Sequence, residues 1–113
     1  MSGKKFPKRG EIFWVELDPT LGRETKKTRP ALIVSNDVGN EFSNVIMIAP
    51  ITSKVENVYP FEVKISLKDK SAKIMLNQCR AIDKSRIKGK MDSVDSKTMK
   101  EVVEAIKIVF AIN

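Results

Sequence analysis

The sequence predicts a mainly β domain that ends in one α-helix. About five runs of β-forming residues, separated by turn-forming residues, precede a C-terminal segment with apolar residues at helical spacing. At 113 residues the chain has the size of one domain, because two halves would each be too small to bury a core. Strands followed by one helix favour a small antiparallel barrel or curled sheet, with the helix covering one opening or face.

The N-terminal half predicts two strands separated by a polar loop. Residues 1–8 are basic and unpatterned, and we expect a loose leader there. The run Glu11–Leu17 is rich in β-forming residues and predicts the first strand, whereas residues 20–28 are polar and predict a loop. Arg29 and Pro30 open a second predicted strand, which continues through residues 31–34. Proline is tolerated there, because a missing N–H costs the ladder little at the start of a strand.

Three more strands are predicted further along the chain. Residues 44–51 are almost continuously apolar, which indicates burial on both faces. In residues 60–67 every second side chain from Phe61 to Leu67 is apolar, which is typical of a strand with one buried face. Residues 73–82 predict a fifth strand, and residues 83–93 are basic and weakly patterned.

The C-terminal segment changes to a helical period. One stripe at i, i+3 and i+4 spacing contains Met99, Val102, Val103, Ile106, Val109 and Phe110. Asp95 or Ser96 can cap the N-terminus of this helix. We expect the stripe to pack against the core or a second subunit, not to bind a cofactor.

The composition excludes several kinds of active site. The chain has no histidine and one cysteine, which excludes a Ser-His-Asp triad, a two-histidine ribonuclease and zinc sites built from histidine or from cysteine alone. Any catalysis must use Arg, Lys, Asp, Glu, Ser, Thr, Tyr or Cys79. A magnesium ion held by carboxylates is not excluded by counting, but we assign no metal ligand and expect no cofactor.

The charge balance indicates an acidic partner. The chain has 21 Lys and Arg against 14 Asp and Glu, a net charge of +7 and a pI near 9.6. Such a small basic domain suits nucleic acid, an anionic membrane surface or an acidic protein.

Three features indicate a cytoplasmic protein. No apolar run approaches the ~20 residues that span a bilayer. The first residues are basic, but no apolar stretch follows them as in a secretory signal. Cys79 cannot form an internal disulfide, which agrees with a reducing compartment.

Four motifs follow one another along the chain: Arg-Gly-Glu-Ile at 9–12, Leu-Gly-Arg-Glu at 21–24 with Thr-Arg-Pro at 28–30, Ala-Pro-Ile-Thr-Ser at 49–53, and Gln-Cys-Arg-Ala-Ile-Asp at 78–83. As a set they resemble the MazF/PemK toxins of type II toxin–antitoxin modules over nearly the whole chain. The resemblance implies a single toxin domain over residues 1–113 with an SH3-like barrel fold, shared with the gyrase poison CcdB. It also implies a homodimer that cuts single-stranded RNA at specific sequences, and a cognate antitoxin whose acidic segment covers the RNA site.

The resemblance implies that Arg29 and Thr52 are catalytic. Attack by the RNA's own 2′-OH creates a phosphorane with extra negative charge, which a guanidinium can stabilise. A threonine hydroxyl can hydrogen-bond a phosphate oxygen, and Ser53 is a weaker candidate beside it. The alternatives are an ordinary surface arginine, and hydroxyls that bond their own backbone in a turn.

Glu24 has two candidate roles under this resemblance. It can hold Arg29 through a carboxylate–guanidinium pair, or it can act as the general base for the 2′-OH. Arginine keeps its proton at any ordinary pH, so Arg29 itself is a poor base. We leave the base unassigned and treat Glu24 as a residue that supports the site.

Four more residues are candidates for binding RNA. Lys26 and Lys27 can contact phosphates that flank the scissile bond. Gln78 matches a family position near bound RNA, where an amide can recognise a base edge, and Tyr59 falls near RNA by the same comparison. A second basic run over residues 84–90 can widen the groove. Each lysine taken singly also fits an ordinary solvated surface.

Two other functions stay open at this point. The first is a non-enzymatic gyrase poison of the CcdB type, although Arg29 and Thr52 argue against it. The second is a catalytically inactive module that binds RNA or antitoxin. Asn77 is the one hint of it, because the family commonly has Asp or Glu there.

Overall fold

The computed structural model describes residues 5–17 and 27–113, with only the backbone of Lys27. Within these ranges it contains seven strands and two α-helices, and Leu76–Gln78 and Lys84–Arg86 form 3₁₀ turns. The elements in chain order are β1 Glu11–Leu17, β2 Lys27–Ile33, α1 Asp37–Phe42, β3 Val45–Thr52, β4 Glu62–Leu67, β5 Lys70–Met75, β6 Arg80–Asp83, β7 Ile87–Ser93 and α2 Ser96–Val109.

The strands form an antiparallel sheet in the order β4-β5-β3-β2-β1-β7. Strand β3 is the central element, because it also pairs with β6 along its first half. Its last two residues, Ile51 and Thr52, pair with Ile74 and Lys73 of β5. The predicted antiparallel architecture with a C-terminal helix is therefore confirmed.

Two apolar clusters lie on opposite faces of this sheet. The first, on the face away from α2, contains Val15, Ala31, Ile33, Ile46, Ile48 and Ile82. The second includes Ile12, Leu32, Ala49, Ile51, Val63 and Ile74 together with Val102 and Ala105 of α2. Successive residues of a strand face opposite sides, so β1, β2 and β3 contribute to both clusters. The expectation that the third strand is buried on both faces is met over its middle, although Val45 at its start is exposed.

Helix α2 covers one face with most of its predicted apolar stripe, but Phe110, the last residue of that stripe, follows the helix and is 57% exposed. Asp95 is the N-cap, and its side chain accepts a hydrogen bond of 2.8 Å from the Thr98 amide. This hydrogen bond lowers the pKa of the Asp95 carboxyl. Val102 and Ala105 are buried against the sheet. No helix in the described ranges is long and apolar enough to cross a membrane.

Helix α1 is not predicted by the sequence pattern, and a buried polar network explains it. Asn36 caps the helix, and Asn40 within it is fully buried. The Asn40 amide donates to the Ser35 carbonyl at 2.9 Å, and the Ser35 hydroxyl donates to the Asn40 side-chain oxygen. The Met47 amide donates to the same hydroxyl at 3.1 Å, so the short helix is tied to β3.

The prediction of one continuous strand over residues 73–82 is wrong. The 3₁₀ turn Leu76–Gln78 divides it into β5 and β6. The physical reason lies in β3, which pairs with β5 at Ile51 but with β6 from Ile48 back to Val45. The chain must turn between these two partners. The weakly patterned residues 83–93 contain a second 3₁₀ turn and strand β7.

Candidate functional site

Arg29 and Thr52 lie on the same face of the sheet, on neighbouring strands. Arg29 is two residues before Ala31 of β2, and Thr52 is two residues after Pro50 of β3. Ala31 and Pro50 are direct partners in the antiparallel pairing. The β2–β3 pairing ends at these two residues, and the two-residue period of a strand gives the side chains of Arg29 and Thr52 the face of Ala31 and Pro50.

The floor beneath this pair is apolar and closely packed. Ala31, Ile48 and Pro50 are buried, whereas Arg29 is exposed and Thr52 is half-buried. The two polar groups therefore stand at the margin of the cluster on the face away from α2. Side chains held by a packed floor on regular strands have a fixed geometry, which favours a reactive site.

The Thr52 hydroxyl also takes part in the turn that follows β3. Its Oγ1 accepts a hydrogen bond of 3.2 Å from the Lys54 amide, and Ser53 is exposed. The alternative considered from the sequence, a Thr52 hydroxyl that bonds the backbone of its own turn, is therefore present. It uses one acceptor lone pair and leaves the O–H donor of the hydroxyl for a phosphate oxygen.

A buried ion pair lies next to Thr52. Lys73 of β5 is the direct partner of Thr52, and its Nζ is 2.9 Å from Oε1 of Glu62. Only 10% of the Lys73 side chain and 6% of the Glu62 side chain are exposed. The same Nζ donates to the Asn57 carbonyl oxygen at 2.5 Å. Lys73 thus joins three elements: β5, β4 and the segment that follows Thr52.

Tyr59 belongs to the same cluster. Its amide donates to Glu62 Oε1 at 3.0 Å, and its ring is stacked on Phe61 with centroids 5.5 Å apart. The Lys73 ammonium lies 5.7 Å from the Tyr59 ring centroid. The tyrosine is half-exposed, so one side of the ring is held by these contacts and the rest is accessible to a base.

Gln78 lies on the 3₁₀ turn between β5 and β6, and not on the outer face of a strand. The turn connects β5, which pairs with β3 at Ile51, to β6, which pairs with β3 at Ile48, so it lies close to the Thr52 end of β3. Asn77 and Gln78 are both exposed there. The Gln78 amide donates to the Met75 sulfur at 3.5 Å, a weak contact that a base edge can replace.

Cys79 follows this turn and packs at the edge of the core. It is half-buried against the cluster beneath α2, where a free cysteine behaves as a small apolar residue. Burial raises the pKa of its thiol, partly offset by a backbone hydrogen bond. A protonated thiol is a poor nucleophile, so this environment does not suit a catalytic cysteine.

Sequence reasoning does not single out Arg80 as a site residue. Arg80 is the direct partner of Ile48, and it therefore shares the face of Arg29 and Thr52. The signal is present in the alternation of Arg80 with Ile82, whose side chain is buried in the cluster on that face. The face thus holds two arginines beside one hydroxyl, a combination suited to an anion with several oxygens.

The remaining predicted site residues lie in the 18–27 region. Glu24 and Lys26 lie outside the described residues, and Lys27 contributes its backbone to β2. Across residues 5–17 and 27–113, no group of three or more His, Cys, Asp or Glu side chains is placed to hold a metal ion.

Comparison with protein families and curated proteins gives a consistent result. Residues 8–110 match the family described as PemK-like, MazF-like toxin of type II toxin–antitoxin system. The chain is 36% identical to Endoribonuclease EndoA of Bacillus subtilis, over 93% of this chain and 95% of that protein. It is 37% identical to Endoribonuclease MazF of Staphylococcus saprophyticus, over 89% and 88% of the two chains.

Solved structures give the same fold. A MazE-MazF crystal structure from Deinococcus radiodurans aligns with a TM-score of 0.81 and 23% identity, over 97% of this chain and all of the matched chain. An endoribonuclease in complex with its cognate antitoxin, from a mycobacterial species, aligns with a TM-score of 0.78 and 19% identity, over 95% and 97% of the two chains.

Proposed function

Because the chain belongs to the PemK-like, MazF-like toxin family of type II toxin–antitoxin systems, we propose that it is a sequence-specific endoribonuclease that cuts single-stranded RNA. The observation that carries the proposal is the placement of Arg29 and Thr52 on one face of two neighbouring strands, each two residues beyond the last β2–β3 partners, Ala31 and Pro50. The two curated relatives are both named as endoribonucleases, which favours this function over a gyrase poison or an inactive module.

The nucleophile in this proposal is the 2′-OH of the nucleotide 5′ to the scissile bond. The chain has no histidine, and its described part holds no cluster that would bind a metal ion to activate water. The 2′-OH is already held next to the phosphorus and needs only alignment. The 2′-OH loses its proton as its oxygen bonds to phosphorus, and the leaving 5′-oxygen takes up a proton as its bond to phosphorus breaks, so no proton is gained or lost overall. The products are a 2′,3′-cyclic phosphate and a 5′-OH end.

Arg29 stabilises the phosphorane and supplies the permanent charge that its extra negative charge requires. The Thr52 hydroxyl donates a hydrogen bond to a phosphate oxygen and positions the group. Glu24 supports the site by holding the Arg29 guanidinium, and Ser53 supports it next to Thr52.

The RNA strand is held by groups on both sides of this pair. Gln78 reads a base edge, Tyr59 stacks on an unpaired base, and Lys26 and Lys27 contact flanking phosphates. The exposure of Gln78 and Tyr59 near the Thr52 end of β3 supports these roles.

The net positive charge of the chain is also the basis for proposing its partners. We propose a homodimer in the cytoplasm, inhibited by a cognate antitoxin whose acidic segment competes with RNA for the basic surface. The net charge of +7 supports this, as does the antitoxin complex reported for the mycobacterial structural relative. Binding should weaken as salt rises, because exposed charge pairs are screened over ~10 Å at 0.1 M.

The first test is cleavage of single-stranded RNA in vitro, with the new 5′ ends mapped. Arg29→Ala should abolish cleavage, and Thr52→Val should reduce kcat by about 10²-fold, the usual cost of one lost transition-state donor. Lys70→Ala, an exposed residue at the far end of β5, is the matched control and should cut normally. Cleavage by Arg29→Ala at the wild-type rate would show that the site is wrongly assigned.

The second test addresses the nucleophile. Once the cut is mapped, a substrate with one 2′-deoxy sugar 5′ to the scissile bond should bind but not be cut. Chelator should leave cleavage of the unmodified substrate unchanged. Cleavage of the deoxy substrate, or activity that chelator removes and magnesium restores, would instead indicate water activated by a carboxylate-bound metal ion.

A further inference from the structure

A second concave surface lies on the face that carries Arg29. It is a groove of about 980 Å³ between the N-terminal residues 5–8, strands β1 and β7, and the turn after β6. Phe6, Phe13 and Ile87 contribute apolar surface to it. Its five lysines are Lys5, Lys8, Lys84, Lys88 and Lys90.

The register of the sheet connects this groove to the catalytic pair. Arg29 of β2 is the partner of Val15 of β1, and Val15 is the partner of Ile87 of β7. Direct partners share a face, so Ile87 lies on the face of Arg29, two strands away. Two strand spacings amount to about 10 Å, roughly three nucleotides at 3.4 Å per nucleotide of one helical strand.

The charge of the groove is only partly balanced. Its five lysines face Glu11 and Glu41, and Lys88 also lies 3.7 Å from Glu16, which leaves an excess of two positive charges. Lys90 is paired with Glu11 at 2.9 Å, but half of the Lys90 side chain is exposed. The Lys84 ammonium bonds the Glu41 backbone carbonyl at 2.9 Å, which holds the ammonium without neutralising it.

Aromatic surface accompanies these charges. The Lys8 ammonium lies 5.5 Å from the centroid of the Phe6 ring, and Phe13 packs half-buried at the edge of the apolar cluster. Basic side chains combined with aromatic rings are the usual means of binding a single strand, since phosphates meet the cations and bases stack on the rings.

We infer that this groove binds the RNA strand that flanks the scissile phosphate, a few nucleotides from the cut. The inference rests on the proposed function and extends the substrate beyond the residues that recognise the cleavage motif. Five lysines and the rings of Phe6 and Phe13 in one groove favour a strand that carries both phosphates and bases over an acidic peptide, which has no bases to stack. RNA length should therefore decide affinity.

The test uses RNAs that carry the mapped cleavage motif with either two or eight nucleotides on each side. Lys88→Gln/Lys90→Gln removes two charges from the groove, and Lys97→Gln/Lys100→Gln removes two exposed charges from α2 on the other face. Binding is measured with 2′-O-methyl RNA, which lacks the nucleophilic hydroxyl, so it is read separately from cleavage.

The groove variant should bind the long RNA several-fold more weakly and the short RNA normally. The slope of log affinity against log salt for the long RNA should fall by about 0.7 for each lost phosphate contact. kcat on the short RNA should not change, and the α2 variant should behave as wild type in every assay. If wild type cuts no RNA, but the groove variant still binds long 2′-O-methyl RNA of unselected sequence more weakly than wild type does, the proposed function fails and the groove remains.

Three outcomes would overturn the inference. Equal losses on short and long RNA would place the lysines at the motif itself. An equal loss of RNA affinity in the α2 variant would show that the effect comes from the net charge of the protein and not from the groove. Normal RNA binding, combined with weaker binding of an acidic antitoxin peptide or with a change in oligomeric state, would assign the groove to a protein interface.

Discussion

The Lys73 ammonium and the Glu62 carboxylate form a buried ion pair directly beside Thr52. Lys73 is the partner of Thr52 in the sheet, and Glu62 accepts hydrogen bonds from both Lys73 and the Tyr59 amide. Taking both charges out of water costs free energy that their attraction only partly offsets. The pair is therefore better explained by what it positions, which is the segment of residues 53–60, than by net stability.

Replacing only one residue of this ion pair should destabilise the fold more than replacing both. Lys73→Met leaves the Glu62 charge buried without its partner and should lower the free energy of unfolding by about 3 kcal/mol. Lys73→Met/Glu62→Gln removes both charges and should lose much less. Urea unfolding of the two variants and wild type measures the difference. Equal losses in both variants would mean that the pair is not energetically coupled.

The double variant also separates stability from positioning. It still lacks the ammonium that holds the Asn57 carbonyl, so the segment after Thr52 should be looser even though the fold is largely restored. RNA cleavage should then fall about tenfold or more in kcat/KM, because a small displacement of positioning groups is costly to catalysis. Activity that recovers together with stability would indicate a purely structural pair.

Arg29→Lys should cleave far more slowly than wild type although it keeps the charge. Lysine presents a compact ammonium and cannot reproduce the planar fork of donors that a guanidinium offers to a phosphate. Arg29 is exposed, so the free energy of unfolding should change by less than about 0.5 kcal/mol. Single-turnover cleavage and urea unfolding test the two statements. If Arg29→Lys cleaves at the wild-type rate, the role of Arg29 reduces to charge alone.

Asn40→Ala should destabilise the fold by about 2 kcal/mol. The substitution removes the donor to the Ser35 carbonyl and the acceptor for the Ser35 hydroxyl, in a place where the side chain is fully buried. Exposed Glu56→Ala in the segment after Thr52 is a suitable control and should change stability little. A loss below about 0.5 kcal/mol would show that water or neighbouring groups replace both hydrogen bonds.

Cys79 should react slowly with iodoacetamide at pH 8 compared with free cysteine, because burial raises the pKa of its thiol and the thiolate is the reactive form. The raised pKa also sets the sign of a stability effect. The neutral thiol stabilises the fold at pH values below the pKa that the thiol has in the unfolded chain. This stabilisation is lost as the pH rises through the pKa of the thiol in the folded protein. Cys79→Ala should remove that part of the alkaline loss, measured by urea unfolding against pH. Alkylation as fast as free cysteine would contradict the prediction.

Local patterns are sufficient for β1, β4 and α2. Glu11–Leu17 is predicted with the bounds that the structure has, and the stripe of α2 is recognised from its spacing. These elements owe their form to neighbours in sequence: alternation for the strands, and an aspartate cap with a periodic apolar face for the helix.

What depends on distant residues is not predictable in this way. The break at Leu76–Gln78 arises because β3 changes partners, and no signal within residues 73–82 records that. Lys73 stands between Ala72 and Ile74, where alternation gives it the outer face of a strand. Its burial depends on Glu62 and on the segment after Thr52 folding over it. The proposed pair of Arg29 and Thr52 comes from the resemblance of motifs, and its placement on one face can be obtained only from the sheet.

The pairing of β1 with β7 joins residues from nearly opposite ends of the chain, with Glu11 the partner of Ser93. Pairing between residues so distant in sequence makes folding slow, because the chain loses the conformational entropy of closing a long loop before the contacts that stabilise it can form. Arg29 and Thr52 are synthesised well before β7 and α2, which complete the sheet and cover one face. The full sheet that holds these two residues therefore forms only after β7 has left the ribosome, and we expect RNA cleavage by a nascent chain to begin only then.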